Sequence, residues 1–142
     1  MTDFPLAKTL TSLKREEGWS AFVYKCSAEK QTLGYGRNID PAGGIGITKS
    51  EGTALLRNDV ERSIEECRKS FGFFDELSPG RQSMLVQACY QLGITSLRKF
   101  HKALYHLEGG FFEEAAVEFA NSKWAKDTPA RCERMCKLII DG

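Results

Sequence analysis

Residues 15–36, REEGWSAFVYKCSAEKQTLGYG, decide how the rest of the chain is read. Just upstream, Leu6, Leu10, Leu13 and Glu17 follow one another at steps of four, three and four residues. On an α-helix those positions share one face. The spacing predicts a helix from about residue 5, a proline suited to a first turn, to Glu17, where Gly18 stops it. A carboxylate that continues a leucine stripe is directed at the protein's own apolar surface or a cleft beside it. Its neighbour Glu16 is turned about 100° away, toward water. Partial burial and the negative end of the helix dipole both favour the protonated carboxyl, which is the form a general acid uses. Phe22, Tyr24 and Cys26 then alternate as on a strand. Residues 31–36 supply the return strand of a hairpin turning at 27–30, which brings Thr32 back near Cys26.

Residues 37–47, RNIDPAGGIGI, are rich in Gly and Pro and read as loop. Thr48 and Glu51 have the spacing of a capping box and open a second helix. Its apolar stripe is Leu56, Val60, Ile64, Cys67 and Phe71, the longest in the chain, and its place suits a connector. Everything after Gly72 has helical signals. A helix begins at Ser78-Pro79 and ends at Gly93. A second is capped by Thr95 or Ser96, with Phe100, Ala103, Leu104 and Leu107 inward. A short one covers 111–120, and a last one starts at Thr128-Pro129, with Cys132, Met135, Cys136 and Ile139 inward. The fold class is α+β and predominantly α-helical. One domain, 1–142, holds a hairpin lobe at about 12–48, a connecting helix at about 49–70, and a helical lobe at about 71–142 that also takes the N-terminal helix.

A net charge of +1 over 142 residues supplies no global field for nucleic acid or an anionic membrane. Arg131 and Arg134 lie close together on the last helix, but Glu133 interrupts them. No apolar run approaches the roughly 20 residues of a membrane span. The N-terminus MTDFPLAKTLTSLKREEG lacks the apolar core of a secretory signal, so a cytoplasmic protein is expected. The five cysteines include no CxxC pair. Cys67, Cys89, Cys132 and Cys136 fall on apolar stripes and read as reduced core residues. His101 and His106 are not at a metal-ligand spacing, so no metal site is expected. Residues 43–50, GGIGITKS, come near a phosphate-binding loop, but Thr48 stands where that motif needs glycine, and the capping box accounts for it.

Glu17, Cys26 and Thr32 stand in the order glutamate, eight residues, cysteine, five residues, threonine. With the flanking EGW, VYKC and TLGYGRN, and with CYQLG (89–93), FFEEAAVEFANSKW (111–124) and TPARCERM (128–135), the chain resembles the phage-type lysozymes of glycoside hydrolase family 24, endolysins of the T-even phage kind. The resemblance covers nearly the whole chain. It implies a two-lobed lysozyme-like fold, with a substrate cleft between the lobes, and hydrolysis of the β-1,4 bond between N-acetylmuramic acid and N-acetylglucosamine. Glu17 would be the general acid. Cys26 would take the second catalytic position, held in most of the family by aspartate, and Thr32 would position the water. Arg131 matches an arginine that pairs with the catalytic glutamate. Asn38, Tyr90 and Gln91 match cleft-lining positions. Ala103 and Glu118 match two more but depart from the family pattern in size or charge. The resemblance further implies a phage or prophage origin, a monomer, peptidoglycan glycan strands as the partner, no cofactor, no nucleic acid and no stable membrane insertion. A separate membrane-permeabilising protein would give access to the wall from the host cytoplasm. Two other readings stay open: a lytic transglycosylase acting on the same bond, and a lysozyme-like binding or structural module silenced by its cysteine.

Overall fold

The computed structural model describes residues 3–142. The chain divides into two compact units, Met1–Thr53 and Ala54–Gly142. The architecture is mostly helical with one small antiparallel sheet, the α+β class expected from the sequence.

In the first unit, helix α1 (Leu6–Glu17) ends where Gly18, at φ 70°, donates its N–H to Lys14 O at 3.1 Å. Strand β1 (Ser20–Lys25) pairs with β2 (Gln31–Gly34), and β2 pairs with β3 (Arg37–Asn38), in the order β1-β2-β3. Tyr24 faces Thr32, and Thr32 faces Asn38. The sheet therefore has one strand more than the expected hairpin. Gly34 and Gly36, at φ 67° and 75°, turn the chain so tightly around Tyr35 that Arg37 returns opposite Leu33. Both φ values suit glycine, which lacks the Cβ that penalises the left-handed region. The loop after β3 is fastened rather than loose. Asp40 accepts N–H groups from Gln31 (3.1 Å) and Ala42 (2.8 Å), and Lys30 donates to Ala42 O (3.0 Å).

The capping box forms as read. Glu51 N–H donates to Thr48 Oγ1 at 3.1 Å, and Thr48 N–H to Glu51 Oε1 at 2.9 Å. Arg37 adds a two-pronged contact to the same carboxylate, 2.7 Å to Oε1 and 2.7 Å to Oε2. The Thr48 N–H first, then Arg37, holds the Glu51 carboxyl below the usual carboxylate range. This joint starts helix α2 (Lys49–Ser70), the longest in the chain.

The second unit carries the core. Along α2 the expected stripe is only half used: Cys67 and Phe71 are buried, Val60 and Ile64 partly so, and Leu56 is exposed. After a 3-10 turn at Phe74–Glu76 come α3 (Pro79–Leu92), α4 (Ile94–Leu97), α5 (His101–Gly109), α6 (Phe112–Ala120), α7 (Lys123–Asp127) and α8 (Pro129–Asp141). Two details differ from the sequence reading. The helix expected from Thr95 or Ser96 is broken into α4 and α5 by a bend before His101, and α7 is additional. Met84, Leu85, Leu97, Leu107, Phe119 and Ile139 form the fully buried centre. Arg81 stacks on Phe112 at 3.4 Å and donates to the carbonyls of Ile139 (2.7 Å) and Ile140 (3.4 Å), satisfying the open end of α8.

Candidate active site

Glu17 is the last residue of α1, and the turn at Gly18 releases the chain directly into β1. Leu6, Leu10 and Leu13 lie on one face of α1, yet they remain 61, 49 and 48 % exposed, and α1 buries no residue. Glu17 itself is exposed, which corrects the expectation of a half-buried carboxyl. Its confinement comes from backbone instead. A methyl group placed on Gly36 would lie 2.6 Å from Glu17 Oε2 and 3.1 Å from its Cδ. Gly36 thus leaves the room that the carboxyl occupies. With Gly18, Trp19, Ser20 and Tyr24, Glu17 lines an open depression of about 360 Å³.

Cys26 directly follows β1, and Thr32 lies on β2 opposite Tyr24. The tight turn between the strands is closed by Cys26 N–H to Lys30 O at 3.0 Å and Glu29 N–H to Cys26 O at 2.8 Å. Glu29 takes φ 61° there. Hydrogen bonding from the Lys30 and Ala28 backbone and from Thr32 lowers the Cys26 pKa. Thr32 is buried, and its Oγ1 also lies 2.8 Å from Lys30 O. The Thr32 hydroxyl donates to that carbonyl. Cys26 and Thr32 are brought together as the hairpin reading required.

The other cysteines are chemically opposite. Burial pushes the Cys67 and Cys132 thiols up to about 12, and burial raises Cys89 and Cys136 as well. All five are free thiols.

Asn38 is half-buried on β3, with Oδ1 turned onto the Asp40 N–H at 3.0 Å, so its carbonyl end is committed to the loop. In the second unit, Gln91 is held from both ends: Trp124 Nε1 donates to Gln91 Oε1 at 2.9 Å, and Gln91 Nε2 donates to Thr128 Oγ1 at 3.4 Å. Tyr90 is exposed and lines a depression of about 440 Å³ with Asp59, Arg62, Ser63, Glu66, Cys89 and Gly93. The Cys89 thiol there donates to Glu66 Oε2 at 3.5 Å. Arg131 is half-buried near the start of α8. Ala103 and Glu118 line another depression, of about 340 Å³, together with Lys99, Phe100, His101 and Lys102. Among the described residues, no group of three or more His, Cys, Asp and Glu is arranged to hold a metal ion.

Gly36 and the Trp19–Tyr35 pair are the residues that sequence reasoning passed over. The signal was present in the text GYG and in a tryptophan two residues after Glu17. Only the turn geometry shows that Gly36 approaches the Glu17 carboxyl and that Tyr35 meets Trp19.

A family model described as phage lysozyme matches residues 14–136. A probable T4-type lysozyme of Dictyostelium discoideum is 28 % identical, over 92 % of this chain and 92 % of that protein. An endolysin of Acyrthosiphon pisum secondary endosymbiont phage 1 is 28 % identical, over 84 % of this chain and 78 % of its own length. The pre-baseplate central spike protein Gp5 of Enterobacteria phage T4 is 25 % identical over 99 % of this chain, which spans 29 % of that larger protein.

Proposed function

Because the chain belongs to the phage lysozyme family, we propose that it is a muramidase that hydrolyses the β-1,4 bond between N-acetylmuramic acid and N-acetylglucosamine in peptidoglycan. The observation that carries this reading is the hairpin turn that returns Thr32, on β2, beside Cys26, with the two residues in the family's spacing from Glu17. Glycoside cleavage by a paired mechanism needs an acid on one side of the bond and a base or nucleophile on the other. A free thiol, with a pKa of about 8.5, is a poor base near neutrality. Hydrogen bonding from the Lys30 and Ala28 backbone and from Thr32 lowers the Cys26 pKa and so raises its thiolate fraction, the form that this second role uses.

In this mechanism Glu17 gives its proton to the glycosidic oxygen as the bond to the anomeric carbon breaks. The Cys26 thiolate takes a proton from water, and that water's oxygen bonds to the anomeric carbon with inversion. Thr32 orients the water. The cycle closes when Glu17 regains a proton and the Cys26 thiol loses one. Asn38 in the first unit, and Tyr90 and Gln91 in the second, are assigned to glycan binding. Arg131 is assigned a supporting role toward Glu17. Those assignments rest on the resemblance of the motifs. The same reading makes the protein a monomeric endolysin that acts from the host cytoplasm once a separate protein has permeabilised the membrane. Among the described residues, no helix is long and apolar enough to cross a membrane by itself.

The test is clearing of a suspension of outer-membrane-permeabilised bacteria, with product masses read alongside. Wild type is expected to clear it and to release fragments with free reducing ends, while Glu17→Gln leaves it turbid. Anhydro products, lighter by one water, would make the protein a lytic transglycosylase. Binding to cell wall without clearing would make it a silenced module.

A further inference from the structure

We propose that Trp19 and Tyr35 form a stacking platform for one N-acetylhexosamine ring of the glycan, beside Glu17. This rests on the reading of Glu17 as the catalytic acid and adds residues that the motif does not contain.

Trp19 is 66 % exposed and Tyr35 45 % exposed, whereas Trp124, the other tryptophan, is 4 % exposed. A large indole left open on a small folded unit is unusual, because tryptophan is highly buried on average. It is not a loose side chain. Its ring centroid lies 5.0 Å from that of Tyr35 at an interplanar angle of 52°. A methyl group on Gly34 would meet the indole at 3.7 Å, so the ring lies against the strand at that glycine. Lys14 Nζ sits 5.6 Å from the Tyr35 ring centroid and steadies the pair by its charge. The platform is fixed before any ligand arrives, which reduces the entropy lost on binding.

What fits it follows from the lining. Trp19 shares its depression with the Glu17 carboxyl, Ser20 and Tyr24. An aromatic face carries negative charge density and attracts the slightly positive C–H face of a pyranose. The surrounding hydroxyl and carboxyl groups match the hydroxyl and acetamido groups around such a ring. A carboxyl beside the ring face disfavours a phosphate or another anion there. A neutral ring with one apolar face and a polar rim is the occupant these features select.

The experiment uses Glu17→Gln protein, peptide-free glycan strands from peptidoglycan, and tryptophan fluorescence. With Trp124 buried, collisional quenching by iodide reports Trp19. Glycan strands are expected to protect Trp19 from iodide and to shift its emission to shorter wavelength. In the active enzyme, Trp19→Ala is expected to raise KM about tenfold with kcat little changed, and Trp19→Phe to recover part of the loss. Circular dichroism checks that the variants fold. If strands leave iodide quenching unchanged, or if Trp19→Ala keeps the wild-type KM or lowers only kcat, the platform is overturned. Turbidity clearing by wild type, run in parallel, separates that failure from failure of the muramidase reading.

Discussion

At Cys26, hydrogen bonding from the Lys30 and Ala28 backbone and from Thr32 lowers the thiol pKa. A pKa lowered in this way means that the thiolate appears at lower pH than in a free cysteine. The other four thiols are shifted upward by burial. Alkylation with iodoacetamide should therefore label Cys26 first, and the pH midpoint of its labelling rate should fall below that of a free thiol. Thr32→Val deletes one donor while keeping the shape, so it should move that midpoint upward. Peptide mapping of the labelled site checks both, and labelling spread evenly over several cysteines would contradict the assignment. Activity should follow the same proton. Its rate should rise as Cys26 ionises. Cys26→Ser should lose most activity, since a hydroxyl stays protonated, whereas Cys26→Asp should retain part of it with the rising limb moved to lower pH. Rates of cell-wall clearing from pH 4 to pH 9 would show whether the limb moves.

Between residues and fold stand the turns, and here the β2–β3 turn makes room for the candidate acid. Gly36 has φ 75°, and a methyl group on it would come within 2.6 Å of Glu17 Oε2. Gly36→Ala should accordingly act twice. It should cost about 1 kcal/mol in stability from the left-handed backbone, and it should displace the Glu17 carboxyl. The expected outcome is a drop in kcat larger than the stability loss accounts for, measured by urea unfolding and initial rates on the same preparations. A kcat equal to wild type would mean that the carboxyl has other room. The start of α2 is a second case. Thr48→Ala removes the side chain that accepts Glu51 N–H, and should cost about 1 kcal/mol. That capping box was legible in the sequence because its two partners are three residues apart, as was the end of α1 at Gly18. Strand β3 was not. Its text, rich in Gly and Pro beyond Asn38, is loop-like, and only the tight turn around Tyr35 makes pairing with β2 possible. The break between α4 and α5 was hidden for a similar reason, since the apolar spacing continues through a bend that packing imposes.

Across the whole molecule, the helical stripes told more about which residues are buried than about how much of each helix is used. Cys67, Met84, Leu85, Leu107, Cys132 and Ile139 are buried as their periodicity implied, while the α1 leucines and Leu56 follow the same periodicity and stay exposed. Spacing identifies a face, but the presence of a partner for that face is a tertiary fact. The same distinction governs the thiols, whose burial has a consequence for stability at high pH. In the folded protein, burial lifts Cys67 and Cys132 from the ordinary thiol range to about 12. An unfolded chain ionises them near the ordinary value. Between those two values the native state holds more protons than the unfolded state, so stability must fall as pH rises through that window, and it gains no such dependence below it. Lysines and tyrosines titrate in the same range, so the contribution is isolated by difference. Urea midpoints of wild type and Cys132→Ala, measured in steps from pH 8 to pH 10.5, should both decline, with the wild type declining more steeply. Parallel declines would mean that the Cys132 thiol ionises as readily in the fold as outside it, and that its burial on α8 is incomplete.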